Sequence, residues 1–172
     1  HDGVPQGWER RKLGDVMVLQ YGKALKADER IDGPFNVYGS SGIVGTHTAP
    51  LVAGPGIIIG RKGNVGAIYW SSESFYPIDT VYFIDRETSS YFLYYTLKAT
   101  RFENSDGAVP GLNRNYAYSR SFLEPPPELV QRFEEAVGLI RNQIDTLTKY
   151  NKKLAAARDL LLPRLMNGEI AV

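Results

Sequence analysis

Residues 125–165 read PPPELVQRFEEAVGLIRNQIDTLTKYNKKLAAARDLLLPRL. The leading prolines lack backbone N–H donors and disfavour helix in the residue before each of them. The last of these prolines can still begin a helix, because proline is tolerated in the first turn. The sequence therefore predicts a globular domain over residues 1–124, followed by a proline linker and a long helix over residues 125–172.

Beyond residue 128 the sequence has the apolar spacing of a coiled-coil helix. Seam positions alternate at intervals of three and four, as in the a and d positions of about five heptads. The predicted dimerisation helix carries these seam residues: Val130, Phe133, Val137, Ile140, Ile144, Leu147, Asn151, Leu154, Arg158, Leu161 and Leu165. Polar Asn151 and Arg158 lie at a positions, where such residues often fix register and partner number. We expect Pro163 to end or kink the helix and Asn167-Gly168 to form a turn.

The residues before the prolines have a different composition. Of the 17 glycines, only Gly138 and Gly168 lie beyond residue 124. Short apolar runs rich in β-branched and aromatic residues predict strands at 56–60, 67–70 and 80–84, separated by turn-rich stretches at 37–42 and 61–66. A helix is expected over residues 90–100, with Phe92, Tyr95 and either Leu97 or Leu93 facing inward. The predicted class is α+β, with a strand-rich core and a long C-terminal helix whose apolar seam needs a partner helix.

Composition and missing motifs exclude several classes of function. The 172 residues include no cysteine and 2 histidines, which excludes disulfide frameworks and thiolate metal sites. No apolar stretch is long enough to span a membrane, and we expect a cytoplasmic protein. Phosphate-binding, dinucleotide and serine-nucleophile loops are absent, as is the D/E-x-K element of many metal-dependent nucleases. We therefore expect no catalysis and no cofactor or metal in this chain.

Two glycine-rich loops carry residues that are typical of DNA recognition. Arg61, Lys62 and Asn64 lie in the loop at 60–66, and Asn113 and Arg114 lie in the loop at 109–116. Arg and Asn suit guanine and adenine edges in the major groove. Each loop alone is more typical of a solvated turn or a polar connector, and the net charge of +1 gives no bulk signal for nucleic acid. The predicted DNA-binding residues are Lys23, Tyr38, Ser40, Ser41, Arg61, Lys62, Asn64, Asn113, Arg114 and Arg120.

The order of these features resembles one half of a specificity (S) subunit of type I restriction–modification systems. The resemblance begins with Gly7-Trp8-Glu9 and Leu13-Gly14-Asp15-Val16, like the opening of a target recognition domain. It covers nearly the whole chain, and its most specific part is the triple proline followed by the heptad helix. The remaining matching motifs are Tyr38-Gly39-Ser40-Ser41-Gly42, Ile58-Ile59-Gly60-Arg61-Lys62-Gly63-Asn64-Val65-Gly66, Pro77-Ile78-Asp79-Thr80, Pro110-Gly111-Leu112-Asn113, and Leu160-Leu161-Leu162-Pro163-Arg164-Leu165-Met166-Asn167-Gly168-Glu169-Ile170.

The resemblance implies a non-catalytic role in a larger complex. The globular domain would read one half of a split double-stranded DNA target, and the long helix would form an antiparallel coiled coil with an equivalent helix. Modification (M) subunits would carry S-adenosylmethionine and methylate adenine, while a restriction (R) subunit would use ATP and Mg²⁺ for translocation and cleavage. Members of the family usually have two recognition domains and two long helices, whereas this sequence has one of each. It is either a fragment or a half-subunit that forms a homodimer through the helix.

An alternative function remains open from the residues alone. The long helix fits equally well in a coiled-coil assembly module whose globular domain binds a protein or a small ligand. Binding to random and to enriched duplexes at two salt concentrations distinguishes the two interpretations, because only a specific DNA reader keeps a sequence preference.

Overall fold

The computed structural model describes residues 3–102 and 111–170. Contacts divide the chain into two compact units, one ending at Glu134 and one beginning at Glu135. In the described residues the strands are β1 (Glu9–Lys12), β2 (Gln20–Tyr21), β3 (Phe35–Gly39), β4 (Gly42–His47), β5 (Gly56–Gly60), β6 (Ile68–Ser71), β7 (Phe75–Pro77), β8 (Val81–Ile84) and β9 (Ser121–Glu124). The helices are α1 (Tyr91–Thr100), α2 (Arg114–Ser119) and α3 (Pro127–Met166), with short 3₁₀ turns at Leu13–Asp15 and Ala27–Glu29.

A four-stranded antiparallel sheet in the order β2-β8-β5-β6 forms the centre of the first unit. Every residue of β5 and β8 is buried, which explains why their sequences are continuous apolar runs instead of alternating ones. The predicted strands at 56–60, 67–70 and 80–84 are confirmed as β5, β6 and β8 to within one residue. Glycine ends β5 at both sides, and the chain turns there.

A second sheet has the order β4-β3-β7. Strands β3 and β4 form a hairpin around Ser40-Ser41, and β7 pairs with β3 in the parallel direction. The stretch at 37–42, which was expected to be a turn, therefore contains the end of β3, the hairpin turn and the start of β4. Gly42 has φ of +100°, a conformation that glycine adopts without strain, and this permits the tight return.

Two apolar clusters form the core of the first unit. The larger one includes Leu13, Leu19, Ile57, Ile84, Leu93, Leu97 and Leu112, and the smaller one includes Tyr38, Ile58, Phe75, Val81 and Phe83. Ile57 and Ile58 are both fully buried and belong to different clusters, as expected for a central strand with two covered faces. The central sheet therefore lies between two packed layers.

Helix α1 confirms the helix expected over residues 90–100. Ser90 caps it, because its hydroxyl accepts a hydrogen bond of 3.0 Å from the backbone N–H of Leu93. The residues buried from α1 are Leu93, Tyr94 and Leu97. The inward orientation predicted for Tyr95 is wrong, since this side chain is 39% exposed and its ring contacts Phe133 of α3. Phe92 is half-buried, with its ring against Phe122 and Phe133.

Two distant segments of the first unit are joined by a short antiparallel ribbon. Strand β1 pairs with β9 from Glu9 opposite Glu124 to Lys12 opposite Ser121. Arg11 and Glu124 form an ion pair of 2.7 Å across this ribbon, and the carboxylate raises the pKa of the Arg11 guanidinium. The chain thus returns beside its own start just before the prolines.

Helix α3 begins at Pro127, the third proline of the predicted boundary. Its first turns, up to Glu134, belong to the first unit. The carboxylate of Glu134 accepts hydrogen bonds from the backbone N–H groups of Tyr91 (3.1 Å) and Phe92 (2.6 Å). Those N–H groups belong to the first turn of α1, where a helix lacks internal acceptors and favours negative charge. Glu134 therefore caps α1 from a distant part of the sequence.

The second unit consists of the remainder of α3 and the turn after it. No residue of α3 is buried, and the seam side chains of Ile140, Ile144, Leu147, Leu154 and Leu161 are between 45 and 66% exposed. Pro163 does not end the helix, which continues to Met166. The predicted turn at Asn167-Gly168 is confirmed: Gly168 has φ of +74°, and Glu169 N–H donates to the Arg164 carbonyl in the manner of a Schellman motif. None of the described helices has the length and apolar character needed to cross a membrane.

Candidate nucleic-acid interface

Five loops meet at one side of the central sheet. The segment after β2 contacts the β7–β8 connection, because Lys23 N–H donates to the Pro77 carbonyl at 3.0 Å. The loop after β5 contacts the same connection, because the N–H groups of Arg61 and Lys62 donate to the Thr80 carbonyl at 2.9 and 3.0 Å. These bonds lie between backbone groups, so they do not depend on side-chain identity.

The two remaining loops adjoin the loop after β5. Leu112 N–H donates to the Arg61 carbonyl at 2.8 Å, and Lys62 forms an isolated antiparallel bridge with Gly111. The β3–β4 turn lies close by, since a methyl group added at Gly63 would be 3.2 Å from the Ser40 hydroxyl. We call the surface formed by residues 21–23, 40–41, 61–66, 78–80 and 111–114 the loop surface.

The Arg61 guanidinium is held by a backbone carbonyl along one side edge and by two aromatic rings. Its Nε and Nη2 donate to the Asp79 carbonyl at 3.3 and 2.6 Å. Its Cζ lies 5.4 Å from the centroid of the Tyr21 ring and 5.7 Å from that of the Tyr82 ring, within the range of cation–π attraction. Arg61 is therefore a fixed cation and not a freely rotating surface side chain.

Arg114 reaches the same tyrosine from the next loop. Its Cζ lies 5.3 Å from the Tyr21 centroid, so one ring contacts two guanidinium groups. Arg114 begins α2, and the side-chain oxygen of Asn113 caps that helix by accepting from the N–H groups of Asn115 (2.9 Å) and Tyr116 (3.1 Å). The cap fixes the backbone from which Arg114 extends.

Tyr82 lies beneath this cluster. Its ring meets the Tyr21 ring edge to face at 5.0 Å, and its hydroxyl donates to the Leu112 carbonyl at 3.2 Å. Burial is the main cause that raises the pKa of Tyr82 to about 12, assisted by a hydrogen bond with Tyr21, against the opposing effect of Arg61 and Arg114. Tyr82 therefore stays neutral beside the two cations at ordinary pH.

The other predicted residues of these loops are exposed. Lys23, Ser41, Lys62, Asn64 and Arg114 all have solvent-accessible side chains, and Ser40 is half-buried. Asp79 also lies on the loop surface, and its side chain is exposed. The structure therefore brings together residues that the sequence distributes over four separate stretches, along with one carboxylate.

Two predicted DNA-binding residues do not lie on the loop surface in this way. Tyr38 is only 5% exposed and packs edge to face on Phe75 in the smaller core cluster, so its ring serves the core instead of a surface. Arg120 follows α2 at the end opposite Arg114, where its Cζ lies 5.6 Å from the Tyr116 ring. Residues 109 and 110, which begin the second predicted loop, lie outside the described residues.

Sequence reasoning missed Tyr21, Tyr82 and the Asp79 carbonyl as parts of this cluster. Tyr21 is 53% exposed, and its position directly before Gly22-Lys23 was the one available signal. Tyr82 belongs to an apolar strand, so its pattern indicates only the core. Among the residues that the structure describes, no group of three or more histidine and acidic side chains is arranged to hold a metal ion.

The fold and the loop surface define a class: an α+β recognition domain with a basic, aromatic-supported loop cluster, followed by a long helix. Residues 5–114 match the family model described as the type I restriction modification DNA specificity domain. The chain belongs to this family. The match ends at Arg114, the last residue of the loop surface.

Individual proteins agree with the family match. The chain is 28% identical, over 195 residues, to the type I restriction enzyme HindI specificity subunit of Haemophilus influenzae, and the alignment covers 97% of this chain and 42% of that relative. The type I S subunit of M. genitalium has a similar fold, with a TM-score of 0.72 at 12% identity over 96% of this chain and 46% of the other. The HsdS subunit of Thermoanaerobacter tengcongensis also has a similar fold, with a TM-score of 0.53 at 16% identity over 99% of this chain and 48% of the other. The chain thus spans less than half the length of each of these proteins.

Proposed function

We propose that the loop surface recognises double-stranded DNA in a sequence-specific way. The observation that carries the proposal is the cluster of Arg61, Lys62 and Arg114, which come from two loops and meet on one face beside Tyr21. Membership in a family of DNA specificity domains supports the same assignment. A net charge of +1 does not oppose it, because the loop surface carries four cations, Lys23, Arg61, Lys62 and Arg114, and one acidic residue, Asp79.

The side chains divide by chemistry into two groups. Arg61, Arg114 and Asn64 have the donor and acceptor geometry that distinguishes base edges in the major groove. Lys23 and Lys62 are flexible point charges, which suit phosphates, and the hydroxyls of Ser40 and Ser41 can donate to phosphate oxygens. The side-chain oxygen of Asn113 caps α2, and its contact with DNA stays a prediction.

The wider role we propose is that of a specificity subunit, or half of one, in a type I restriction–modification complex in the cytoplasm. In that role this chain selects the DNA and performs no chemistry. M subunits carry S-adenosylmethionine and methylate adenine, and an R subunit uses ATP and Mg²⁺ for restriction. The partner subunits then supply part of the sequence-independent grip on phosphates, which a nearly neutral chain lacks.

The long helix has a separate proposed role in assembly. Its seam side chains are exposed along the second unit, and a stripe of this kind is stabilised by a partner helix. We propose that it pairs antiparallel with an equivalent helix, in a homodimer or with another part of a longer subunit. This exposed seam also favours the alternative of a coiled-coil assembly module whose globular domain binds a protein or a small ligand.

Selection of duplexes from a randomised pool by the full chain, alone and with its M subunit, tests the proposal. We expect an enriched sequence whose binding weakens with salt, since phosphate contacts release counterions. Equal retention of the enriched and the random pool at both a low and a high salt concentration would contradict DNA recognition and leave the assembly module. The matched control is Arg86→Gln, which removes an exposed arginine beyond the opposite end of β8.

A further inference from the structure

The arrangement around Arg61 points to a specific base. We infer that Arg61 reads a guanine through the end of its guanidinium, and that Tyr21 is a positioning residue for both Arg61 and Arg114. The inference rests on the proposed function, because it assigns a base to one side chain of the DNA-reading surface.

The donors of Arg61 can be accounted for individually. A guanidinium has five N–H donors, arranged along two side edges and one end. The Nε and Nη2 donors of one side edge converge on the Asp79 carbonyl. In the part of the chain that the structure describes, no acceptor engages Nη1. The pair formed by Nη1 and the second N–H of Nη2 is therefore left facing outward.

That remaining pair matches guanine. The O6 and N7 atoms of guanine are two adjacent acceptors in the major groove, and an arginine fork binds both at once. Adenine presents an acceptor beside a donor, so one N–H of the fork would face an N–H of the base. Thymine and cytosine do not present two adjacent acceptors either. An end-on arginine in a fixed orientation therefore selects guanine over the other bases.

The supporting rings make the orientation fixed. Tyr82 is buried, and its hydroxyl is held by the Leu112 carbonyl, so the ring that lies 5.7 Å from Arg61 does not move freely. Tyr21 contacts the same guanidinium at 5.4 Å. A preorganised side chain loses little rotamer entropy on binding, which favours base readout over the looser contact with a phosphate. Lys62, next in the chain, is exposed and better suited to the phosphate.

Tyr21 couples Arg61 to the neighbouring loop. Its ring centroid is 5.4 Å from the Cζ of Arg61 and 5.3 Å from that of Arg114. Removal of the ring would take its cation–π contact from both arginines and leave Arg61 with the Tyr82 ring and the Asp79 carbonyl. Removal of the hydroxyl alone would keep both cation–π contacts. A residue with a merely structural role in the core would not show this difference, and Tyr21 is half-exposed.

Duplex selection with variants of the full chain tests the inference. Arg61→Lys keeps the charge but loses the fork, so we expect the preference for guanine at one position to fall about ten-fold while other positions keep theirs. Tyr21→Leu should weaken the preference at that position and at one more, and Tyr21→Phe should restore it. Arg86→Lys is the matched control, and the thermal unfolding of each variant shows whether it is folded.

The possible outcomes separate the inference from the proposed function. A wild-type chain without any enriched sequence would contradict both. An enriched sequence that Arg61→Lys leaves unchanged, or binds more weakly by the same factor at every position, would overturn the guanine assignment alone. Equal guanine preference in the Tyr21→Leu and Tyr21→Phe variants would overturn the positioning role of Tyr21. If Arg61→Lys does not fold, Arg61→Gln takes its place, and a guanine preference that Arg61→Gln leaves unchanged would overturn the assignment.

Discussion

Lys62 and Gly111 form an isolated antiparallel bridge between two loops that lie far apart in the sequence. Three strands and a helix lie between them in the described part of the chain, yet the bridge makes them neighbours on the loop surface. Because Arg61 precedes Lys62 and Arg114 follows Gly111 closely, the same bridge brings both arginines to the Tyr21 ring. The bridge and the hydrogen bond from Leu112 N–H to the Arg61 carbonyl thus join two ordinary polar loops into one basic surface.

Gly66 should resist substitution more strongly than Gly63. Both have positive φ, +75° and +79°, where an alanine costs roughly 1–2 kcal/mol. A Cβ at Gly66 would also lie 2.8 Å from the Cβ of Phe102, whereas at Gly63 it would meet only the rotatable hydroxyl of Ser40 at 3.2 Å. We expect Gly66→Ala to lower the midpoint of thermal unfolding further than Gly63→Ala. Equal midpoints for the two variants would contradict the close packing against Phe102.

Glu134→Ala should lower the free energy of unfolding of the first unit by about 1–2 kcal/mol. The change removes two hydrogen bonds to the first turn of α1 and the favourable charge at that helix end. Glu134→Gln keeps a hydrogen-bond acceptor and should lose less free energy of unfolding than Glu134→Ala. Urea unfolding followed by tryptophan fluorescence measures the effect, since Trp70 stacks on Tyr91 at 4.5 Å. The control is Glu87→Ala, an exposed acid in the turn after β8, and a similar loss there would refute the capping role.

Charges in the seam of α3 should abolish self-association. Ile144→Asp with Leu147→Asp would put two carboxylates on the stripe that we expect to face a partner helix. Sedimentation velocity should show the wild type as an oligomer and the double variant as a monomer. Leu139→Asp with Leu160→Asp is the matched control, because these exposed leucines lie off the seam. A double seam variant that sediments like the wild type would defeat the coiled-coil interpretation.

Stability should fall in strong base because of Tyr82. Its pKa is raised to about 12 in the folded chain from an ordinary value of 10.0, so the unfolded chain loses this proton first as pH rises. The contribution of the protonated Tyr82 phenol to the free energy of unfolding is complete below pH 10 and is lost between pH 10 and about 12. The free energy of unfolding, measured with urea across this pH range, should therefore decline less steeply for Tyr82→Phe than for the wild type. Identical slopes would indicate that the phenol titrates normally.

Local patterns were sufficient for the elements whose surroundings are uniform. Strand β5 has apolar residues on both faces and a glycine at each end, so its sequence identifies it without knowledge of its partners. The same holds for α1, which has a serine cap, and for α3, whose seam repeats over many turns. In each case the signal lies within a few consecutive residues.

Pairings between distant segments could not be predicted in this way. The β1–β9 ribbon joins Glu9–Lys12 with Ser121–Glu124, and neither strand has an alternating pattern strong enough to mark it. Helix α2 is six residues long, too short for a periodic signal, and only Asn113 indicates its start. The loop surface depends on these long-range contacts. Its arginines were therefore predicted individually, while their shared tyrosine was not.

Main-chain hydrogen bonds join the loops of the loop surface to one another: Lys23 to Pro77, Arg61 and Lys62 to Thr80, and Leu112 to Arg61. Every amino acid except proline offers the same N–H and C=O groups, so this framework tolerates exchange of the side chains it displays. Target preference and foldability are thereby separable properties, open to change one at a time. The surface is accordingly suited to diversification, both by natural drift toward new targets and by laboratory libraries that vary the displayed residues on a constant backbone.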